Sequence, residues 1–448
     1  MNKPSRRPKV VIVGAGFAGI AATRELKRKN VDVTLIDANA FTTFQPLLYQ
    51  VATGGLNPGD VTYSLRALAA GAGARFRLGK MVGLDRVNKQ VVLDDGTRVD
   101  YDFLMLSQGL GANFFGIPGA QEYAMALYTR SEAISLRDVI LHGLERKAAG
   151  KVPRNKQLSM VVVGGGPTGV EMAGTLAELR NSGIPEMYPE LTISDVQVAL
   201  VEMTDHLLGP FDDSLRRYTR RQLELRGVRV LTNTAIAEVF ADHVVFKNGE
   251  TEPADLVVWA GGVAGHQEVG DWGLPQGAGG RIKVNRDLRV EGEDAIFAAG
   301  DAATISEKPV PGLAQPALQM GAHVANEIVR ALKGEPAEDF EYNDLGTMAT
   351  IGRSSAVAEL PKKIKLTGLP AWLMWVLVHL YQLLGGRNRI QAMINLGVRY
   401  IAWPRHAITI VGDQAVPPAV QFRRDKEALE EKLAQAEREA EEAERAQG

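Results

Sequence analysis

Two glycine fingerprints, each lying between a β-branched apolar run and a helical pattern, constrain the fold of this 448-residue chain most strongly. The first spans residues 10–19 and the second residues 160–169. In such a motif the first glycine permits a tight turn, the second lets the backbone approach a pyrophosphate, and the third allows close helix–strand packing. The phosphates then lie at the positive helix N-terminus. Two such units predict an α/β protein with two Rossmann-like domains that hold two dinucleotides, most simply a flavin and a nicotinamide.

The first fingerprint is predicted to bind FAD. The next strand, residues 31–37, ends in Asp37, 18 residues after Gly19, close to the spacing of about 20 at which an acid binds the ribose hydroxyls. A late apolar strand, residues 294–302, ends in Gly-Asp and resembles the second FAD motif of flavoproteins with two dinucleotide domains, in which the aspartate reaches the ribityl–phosphate region. The residues predicted to bind flavin are therefore Gly14, Gly16, Phe17, Ala18, Gly19, Asp37, Gly300 and Asp301.

The second fingerprint is predicted to bind NADH. Because it lies between the two flavin motifs, its domain should be inserted into the first. Two apolar strands that run into Gly109 and Gly262, both predicted to bind a cofactor, resemble the crossover motifs between such domains, although the first ends in Ser-Gln-Gly rather than the usual Ala-x-Gly. Glu202 ends the strand over residues 196–202, and the Pro- and Gly-containing insert over residues 181–194 predicts a loop before it. The residues predicted to bind the nicotinamide dinucleotide are Gly164, Gly166, Thr168, Gly169, Glu202 and Gly262.

Glu202 also predicts the choice of cofactor. A carboxylate at this strand end accepts hydrogen bonds from a ribose diol and repels a 2′-phosphate. We therefore expect NADH to be preferred over NADPH.

The predicted organisation has five parts. They are the first part of the FAD-binding domain (1–115), an NADH-binding domain (116–284), the second part of the FAD-binding domain (285–335), a C-terminal membrane-associating helical domain (336–412) and a charged helical or disordered tail (413–448).

Composition narrows the chemistry. The chain has no cysteine, which excludes disulfides, cysteine-ligated iron–sulfur clusters and a redox-active cysteine pair. Its electrons must therefore pass through bound organic cofactors to a diffusible acceptor such as a quinone, or to a partner protein. The net charge of −2 gives no indication of nucleic-acid binding. The basic first nine residues lack the apolar region of a secretory signal, so we expect the protein to face the cytoplasm.

The C-terminal third contains a strongly apolar stretch, residues 369–384, that falls short of the roughly 20 residues needed to span a bilayer. A second apolar pattern with interleaved arginines follows, over residues 387–405. This arrangement predicts helices that lie in a membrane interface. The aromatic residues expected at headgroup depth are Trp372, Trp375, Tyr381, Tyr400 and Trp403. The alternatives are core helices or a dimer interface, and a homodimer is compatible with a membrane surface.

Several segments together resemble the type II NADH:quinone oxidoreductases, the single-subunit alternative NADH dehydrogenases. The resemblance extends from the first fingerprint to about Gly412. Besides both glycine motifs, it rests on residues 44–54 (FQPLLYQVATG), 113–116 (NFFG), 259–263 (WAGGV), 314–319 (AQPALQ) and the 387–389 (RNR) turn between the apolar helices.

The resemblance implies site roles. Residues 44–54, including Gln45, would lie beside the flavin. Gln315 and Gln319 would contact the quinone, and Gln315 would also contact the flavin. Glu171 matches a helix glutamate between the nicotinamide and quinone sites. In the residues alone, Glu171 is also explained as a carboxylate in the first turn of a helix. The family's lysine before the apolar helix corresponds to Lys365 or Lys363.

The predicted function is thus a membrane-associated NADH:quinone oxidoreductase. Hydride would pass from NADH to FAD, and two electrons would then reduce ubiquinone or menaquinone to quinol without proton pumping. The enzyme would be attached peripherally to the cytoplasmic side of the cell membrane. Two alternative functions are a soluble reductase of a ferredoxin or rubredoxin, and an NADH-sensing flavoprotein that changes partner or oligomeric state on reduction.

Overall fold

The computed structural model describes residues 6–307, 309–401, 416, 418–423 and 426–427. Its helices are α1 (Phe17–Glu25), α2 (Leu48–Ala52), α3 (Leu65–Ala72), α4 (Ala120–Tyr123), α5 (Arg130–Ala148), α6 (Pro167–Glu178), α7 (Ile184–Met187), α8 (Asp213–Leu225), α9 (Glu268–Asp271), α10 (Ala314–Lys333), α11 (Gly368–Gln382) and α12 (Gly386–Ile401).

The strands of the first half are β1 (Lys9–Val13), β2 (Asp32–Asp37), β3 (Phe41–Thr43), β4 (Thr62–Ser64), β5 (Arg75–Leu78), β6 (Met81–Asp85), β7 (Gln90–Leu93), β8 (Arg98–Asp100), β9 (Phe103–Leu106), β10 (Gly111–Ala112), β11 (Ala124–Ala126), β12 (Leu158–Val163) and β13 (Val196–Val201). Those of the second half are β14 (Arg229–Leu231), β15 (Ile236–Val239), β16 (His243–Phe246), β17 (Thr251–Pro253), β18 (Leu256–Trp259), β19 (Val263–Ala264), β20 (Ile282–Val284), β21 (Ile296–Ala298), β22 (Ala303–Ile305), β23 (Thr347–Thr350), β24 (Ala356–Leu360) and β25 (Ile364–Thr367).

Two parallel five-stranded sheets form the framework. The first has the order β21-β9-β1-β2-β5 and the second the order β11-β18-β12-β13-β14. All six residues of β12 are buried, as expected for a strand covered by helices on both faces. β21 joins the first sheet only after the chain has completed the second. The predicted α/β class with two Rossmann-like units is confirmed.

Smaller sheets accompany each unit. The antiparallel meander β6-β7-β8 follows the first sheet's β5, and the meander β15-β16-β17 follows the second sheet's β14. The two segments that connect the units, β10 and β19, pair with each other in an antiparallel manner. The predicted crossovers therefore run side by side.

The C-terminal part begins with the antiparallel sheet β23-β24-β25. Helix α11 packs on this sheet and buries Ala371 and Trp375. Helix α12 follows after a short connection. Within the described part of the chain, neither these helices nor any other combines the length and apolar character that crossing a membrane requires.

Several local predictions were wrong. The helical pattern after the first fingerprint predicts a helix over residues 18–29, but helix α1 ends at Glu25. The insert expected to be a loop is largely helical, because a π-helical turn over Leu179–Gly183 continues α6 and leads into α7. Residues 387–389 lie in the first turn of α12, not between the helices. Trp403, the side chain of Tyr400 and most of the charged tail lie outside the described residues.

Candidate functional site

Both glycine turns, the late flavin motif and helix α11 meet at one cleft of about 510 Å³. Parallel strands bring their carboxyl ends to one edge of a sheet, where ligands of such folds bind. The wall nearest the glycine turns is lined by Gly16, Phe17, Ala18, Gln45, Gly109, Pro167, Thr168, Glu171, Gly300, Asp301 and Gln315. C-terminal residues complete the lining, among them Met348, Leu360, Met374, Val378, His379 and Gln382.

The first glycine turn has the geometry of a pyrophosphate cradle. A Cβ at Gly14 would lie 2.3 Å from the carbonyl oxygen of Ser107, and one at Gly19 would lie 1.9 Å from the carbonyl oxygen of Gly14. Side chains are thus excluded at both positions. At Gly16, by contrast, a Cβ would meet no described atom within 4 Å. This open backbone on the cleft wall is where a dinucleotide phosphate would approach, so the turn fits FAD.

Two carboxylates flank this turn. Asp37 accepts hydrogen bonds from the backbone N–H groups of Ala15 and Asn39, both at 2.8 Å, and burial raises its pKa. Asp301 follows Gly300, whose φ of +67° favours glycine. Burial raises the pKa of Asp301, and nearby Arg281 partly opposes this. Asp37 therefore lies against the first turn, where an acid bonds the ribose hydroxyls, and Asp301 lines the cleft.

The second glycine turn repeats the arrangement. A Cβ at Gly164 would lie 2.4 Å from the carbonyl oxygen of Ala260, and one at Gly169 would lie 1.8 Å from the carbonyl oxygen of Gly164, while at Gly166 the space is open. Glu202 accepts hydrogen bonds from the N–H groups of Gly165 at 2.6 Å and Thr204 at 2.7 Å. The acid thus lies at the turn, as the ribose-binding prediction requires, and the turn fits a second dinucleotide.

The remaining predicted cofactor residues occupy two places. Gln45, Gly109 and Thr168 line the cleft. Gly262 lies outside it, where an added Cβ would come within 2.7 Å of the Phe115 ring.

Glu171 is the most perturbed acid of the cleft. It lies one turn into α6, with 8% of its surface exposed. Burial raises its pKa to about 8. The N–H of Thr350 in β23 donates to it at 3.2 Å, and the indole of Trp375 in α11 also hydrogen-bonds to it. These bonds favour the charged form but do not outweigh desolvation. Glu171 therefore holds a proton at neutral pH.

The prediction for Trp375 was wrong. The residue was expected at the membrane interface, but it is 2% exposed and contacts Glu171. A large aromatic residue is compatible with either face of α11, so the apolar pattern in the sequence does not show which face it occupies. Trp372 is half-buried and Tyr381 is 77% exposed, so among the predicted interface aromatics whose side chains the structure describes, only Tyr381 stands out towards solvent.

Sequence reasoning also missed His379, which it treated only as an interruption of the apolar stretch. The imidazole lines the cleft and stacks on Trp375 with ring centroids 3.9 Å apart. A polar residue at a helical spacing of four from Trp375 was the available signal.

The predicted quinone-site residues do not all come together. Gln315 lines the cleft at the start of α10. Gln319 instead forms two hydrogen bonds with the backbone of Asn343, at 2.9 and 3.0 Å. Lys365 forms an ion pair with Asp212 at 2.6 Å, and Lys363 is exposed. Neither lysine lines the cleft.

Comparisons with known proteins agree with this geometry. The family model described as pyridine nucleotide-disulphide oxidoreductase matches residues 8–321, and the model of the NDH2 C-terminal domain matches residues 345–402. The type II NADH:quinone oxidoreductase Ndh of Mycobacterium tuberculosis is 33% identical over 430 residues, with 92% of each chain covered. NdhA of the same organism is 35% identical, with 90% of this chain and 89% of the relative covered.

A solved structure has the same fold. NDH2 of Plasmodium falciparum in complex with NADH superposes with a TM-score of 0.83 at 22% identity, covering 91% of this chain and all of that one.

Proposed function

The chain belongs to the family of type II NADH:quinone oxidoreductases, and on that premise we propose that it transfers reducing equivalents from NADH through FAD to a membrane quinone. The observation that carries the proposal is the single cleft, in which two dinucleotide turns meet an apolar C-terminal helix. FAD, when bound, supplies hydride acceptance from NADH and two-electron donation to the quinone.

In this proposal, each dinucleotide is bound by its own set of residues. The first glycine turn, Asp37 and Asp301 would bind FAD, with Gln45 and Gly109 on the same wall. The second turn and Glu202 would bind NADH, with Thr168 at the point where its helix enters the cleft. The chain's contribution is orientation, because Gly16 of the first turn and Thr168 at the end of the second line the same cleft. The carboxylate of Glu202 favours NADH over NADPH.

The acceptor side is the α11 wall. Apolar side chains of Met348, Met374 and Val378 exclude water there, and Gln315 supplies an amide that can donate to a quinone carbonyl. The reaction consumes one proton net, since NADH, H⁺ and quinone give NAD⁺ and quinol. Glu171 lines the same cleft and is protonated at neutral pH. We assign it the delivery of this proton.

Attachment to a membrane surface is part of the proposal. Four residues of α11 spaced by four, Leu369, Leu373, Leu377 and Tyr381, are between 48% and 77% exposed. In α12, Ile390, Met393, Ile394 and Val398 are 43% to 56% exposed. Such apolar faces favour insertion into the headgroup–acyl boundary. We propose peripheral attachment on the cytoplasmic side, and a homodimer as the assembled form.

Steady-state NADH oxidation by the purified, FAD-loaded protein tests the function. With a short-tailed quinone as acceptor, we expect turnover well above the rate without quinone, and a much lower kcat/KM with NADPH. Rapid NADH oxidation only with an added ferredoxin, or none with either acceptor, would contradict the proposal.

A further inference from the structure

Helix α11 contributes the imidazole ring of His379 to the cleft, and a neighbouring carbonyl group determines which ring nitrogen carries the proton. Nδ1 of His379 lies 2.7 Å from the carbonyl oxygen of Trp375. A carbonyl oxygen only accepts hydrogen bonds, so Nδ1 must carry the proton. The neutral ring consequently presents a lone pair, and no N–H, at Nε2.

The ring is also held in place. It stacks on the indole of Trp375 at an interplanar angle of 19° and meets the Phe44 ring edge-on, with centroids 6.1 Å apart. Burial lowers the pKa of His379 to about 4, which keeps the ring neutral at physiological pH. Within the described part of the chain no donor reaches Nε2, and the residue lines the cleft.

The two redox states of a quinone ring differ in what they offer this lone pair. A quinone carries carbonyl oxygens, which only accept hydrogen bonds, whereas a quinol carries hydroxyl groups, which donate. The Nε2 lone pair and a quinone carbonyl oxygen would repel each other, because both are acceptors. A quinol hydroxyl that faces Nε2 would instead donate a hydrogen bond to it. We infer that His379 distinguishes the redox state of the substrate ring, because its Nε2 accepts a hydrogen bond from a quinol hydroxyl and has none to give to a quinone carbonyl.

The two glutamine amides that line the cleft lack this selectivity. The amides of Gln315 and Gln382 offer both a donor and an acceptor, so they suit either redox state. The bond to His379 therefore forms only as the ring oxygen becomes protonated, and it stabilises the product side of the reaction. The inference rests on the proposed function, since it assigns a redox-state preference to the proposed quinone site.

His379→Phe tests the inference, because phenylalanine keeps an aromatic ring between Trp375 and Phe44 but removes Nε2. Two constants should be measured, namely the Ki of a short-tailed benzoquinol as product inhibitor and the KM of the matching quinone. Anaerobic calorimetry would give the quinol affinity independently of turnover. We expect quinol binding to weaken about three- to tenfold, which corresponds to one net hydrogen bond. The KM for the quinone should change less than twofold.

His379→Gln is the companion variant, because its amide restores an acceptor and adds a donor. It should recover part of the quinol affinity. Quinol and quinone constants that change by the same factor in His379→Phe, or a quinol constant that does not change, would overturn the inference. The rate of flavin reduction by NADH and the melting temperature report general damage separately. If the wild-type protein reduces no quinone, the proposed function itself fails, and the inference fails with it.

Discussion

At the scale of single residues, the cleft depends on a carboxyl group that is kept neutral. Glu171 receives hydrogen bonds from Thr350 and Trp375, but burial has the larger effect and raises its pKa to about 8. A strongly shifted pKa in a cleft is typical of a functional group. The neighbours therefore orient the carboxyl group while the apolar surroundings keep its proton.

Glu171→Gln should slow quinone reduction by at least about a hundredfold, the contribution expected of one proton-transferring group. Flavin reduction by NADH should change little, because that step needs no proton from Glu171. Stopped-flow flavin reduction and steady-state quinone turnover would separate the two steps. An equal loss in both would exclude the proposed proton delivery.

The raised pKa of Glu171 also predicts how stability depends on pH. Above about pH 4.5, the ordinary pKa of a glutamate side chain, the unfolded chain releases this proton, whereas the folded chain keeps it until about pH 8. The unfolded state thus binds fewer protons in this window, so the contribution of Glu171 to stability falls as the pH rises from about 5 to 8. The melting temperature of Glu171→Gln should fall less over this range. Parallel curves for both proteins would contradict the prediction.

Glu202→Ala tests the dinucleotide preference. Loss of the carboxylate removes its bonds to the ribose and its repulsion of a 2′-phosphate. We expect the KM for NADH to rise about tenfold, equivalent to roughly 1.4 kcal/mol, and the relative use of NADPH to increase. Kinetics with both nucleotides at fixed quinone concentration would measure this. The flavin content should stay unchanged, and an unaltered ratio of kcat/KM values would exclude the assignment.

At the scale of elements, α11 has two functions on two faces. Its inner face buries Ala371 and Trp375, and its outer face exposes Leu369, Leu373 and Leu377. Deleting the chain from Pro370 onward would remove both faces and uncover the core. Substitutions on the outer face alone give a sharper test of membrane attachment.

The double variant Leu373→Glu and Leu377→Glu should bind lipid vesicles at least tenfold more weakly. A fully buried leucine contributes about 1.5–3 kcal/mol, and a charge in the interface adds to the loss. The matched control is Leu225→Glu, since Leu225 is 69% exposed at the end of α8. Vesicle co-sedimentation measures binding. Equal pelleting of the double variant and the wild type would argue against this face as the anchor.

At the scale of the whole molecule, the second Rossmann unit and the C-terminal sheet meet at a glycine. A Cβ on Gly174 of α6 would lie 2.7 Å from the backbone carbon of Ile351. The preceding residue, Thr350, donates to Glu171. This close contact therefore sets the distance between the nicotinamide helix and the wall that carries α11.

Gly174→Ala should destabilise the protein by about 1–3 kcal/mol, because the added methyl overlaps with backbone. It should also reduce quinone turnover by displacing Thr350. The control is Gly71→Ala in α3, where a Cβ meets no described atom within 4 Å, and which should be neutral or stabilising by up to about 1 kcal/mol. Thermal melting of both variants would decide, and equal melting temperatures would contradict the prediction.

The sequence by itself determined both Rossmann units and the insertion of one into the other. Glycines at Gly14 and Gly164 have no substitute in turns with positive φ, so the motif is readable without a structure. Apolar helices at the C-terminus were likewise visible, because hydrophobic spacing is local. Only tertiary structure decided which side of α11 faces inward. The C-terminal sheet sets that orientation, and it places Trp375 against Glu171, His379 in the cleft and Lys365 beside Asp212.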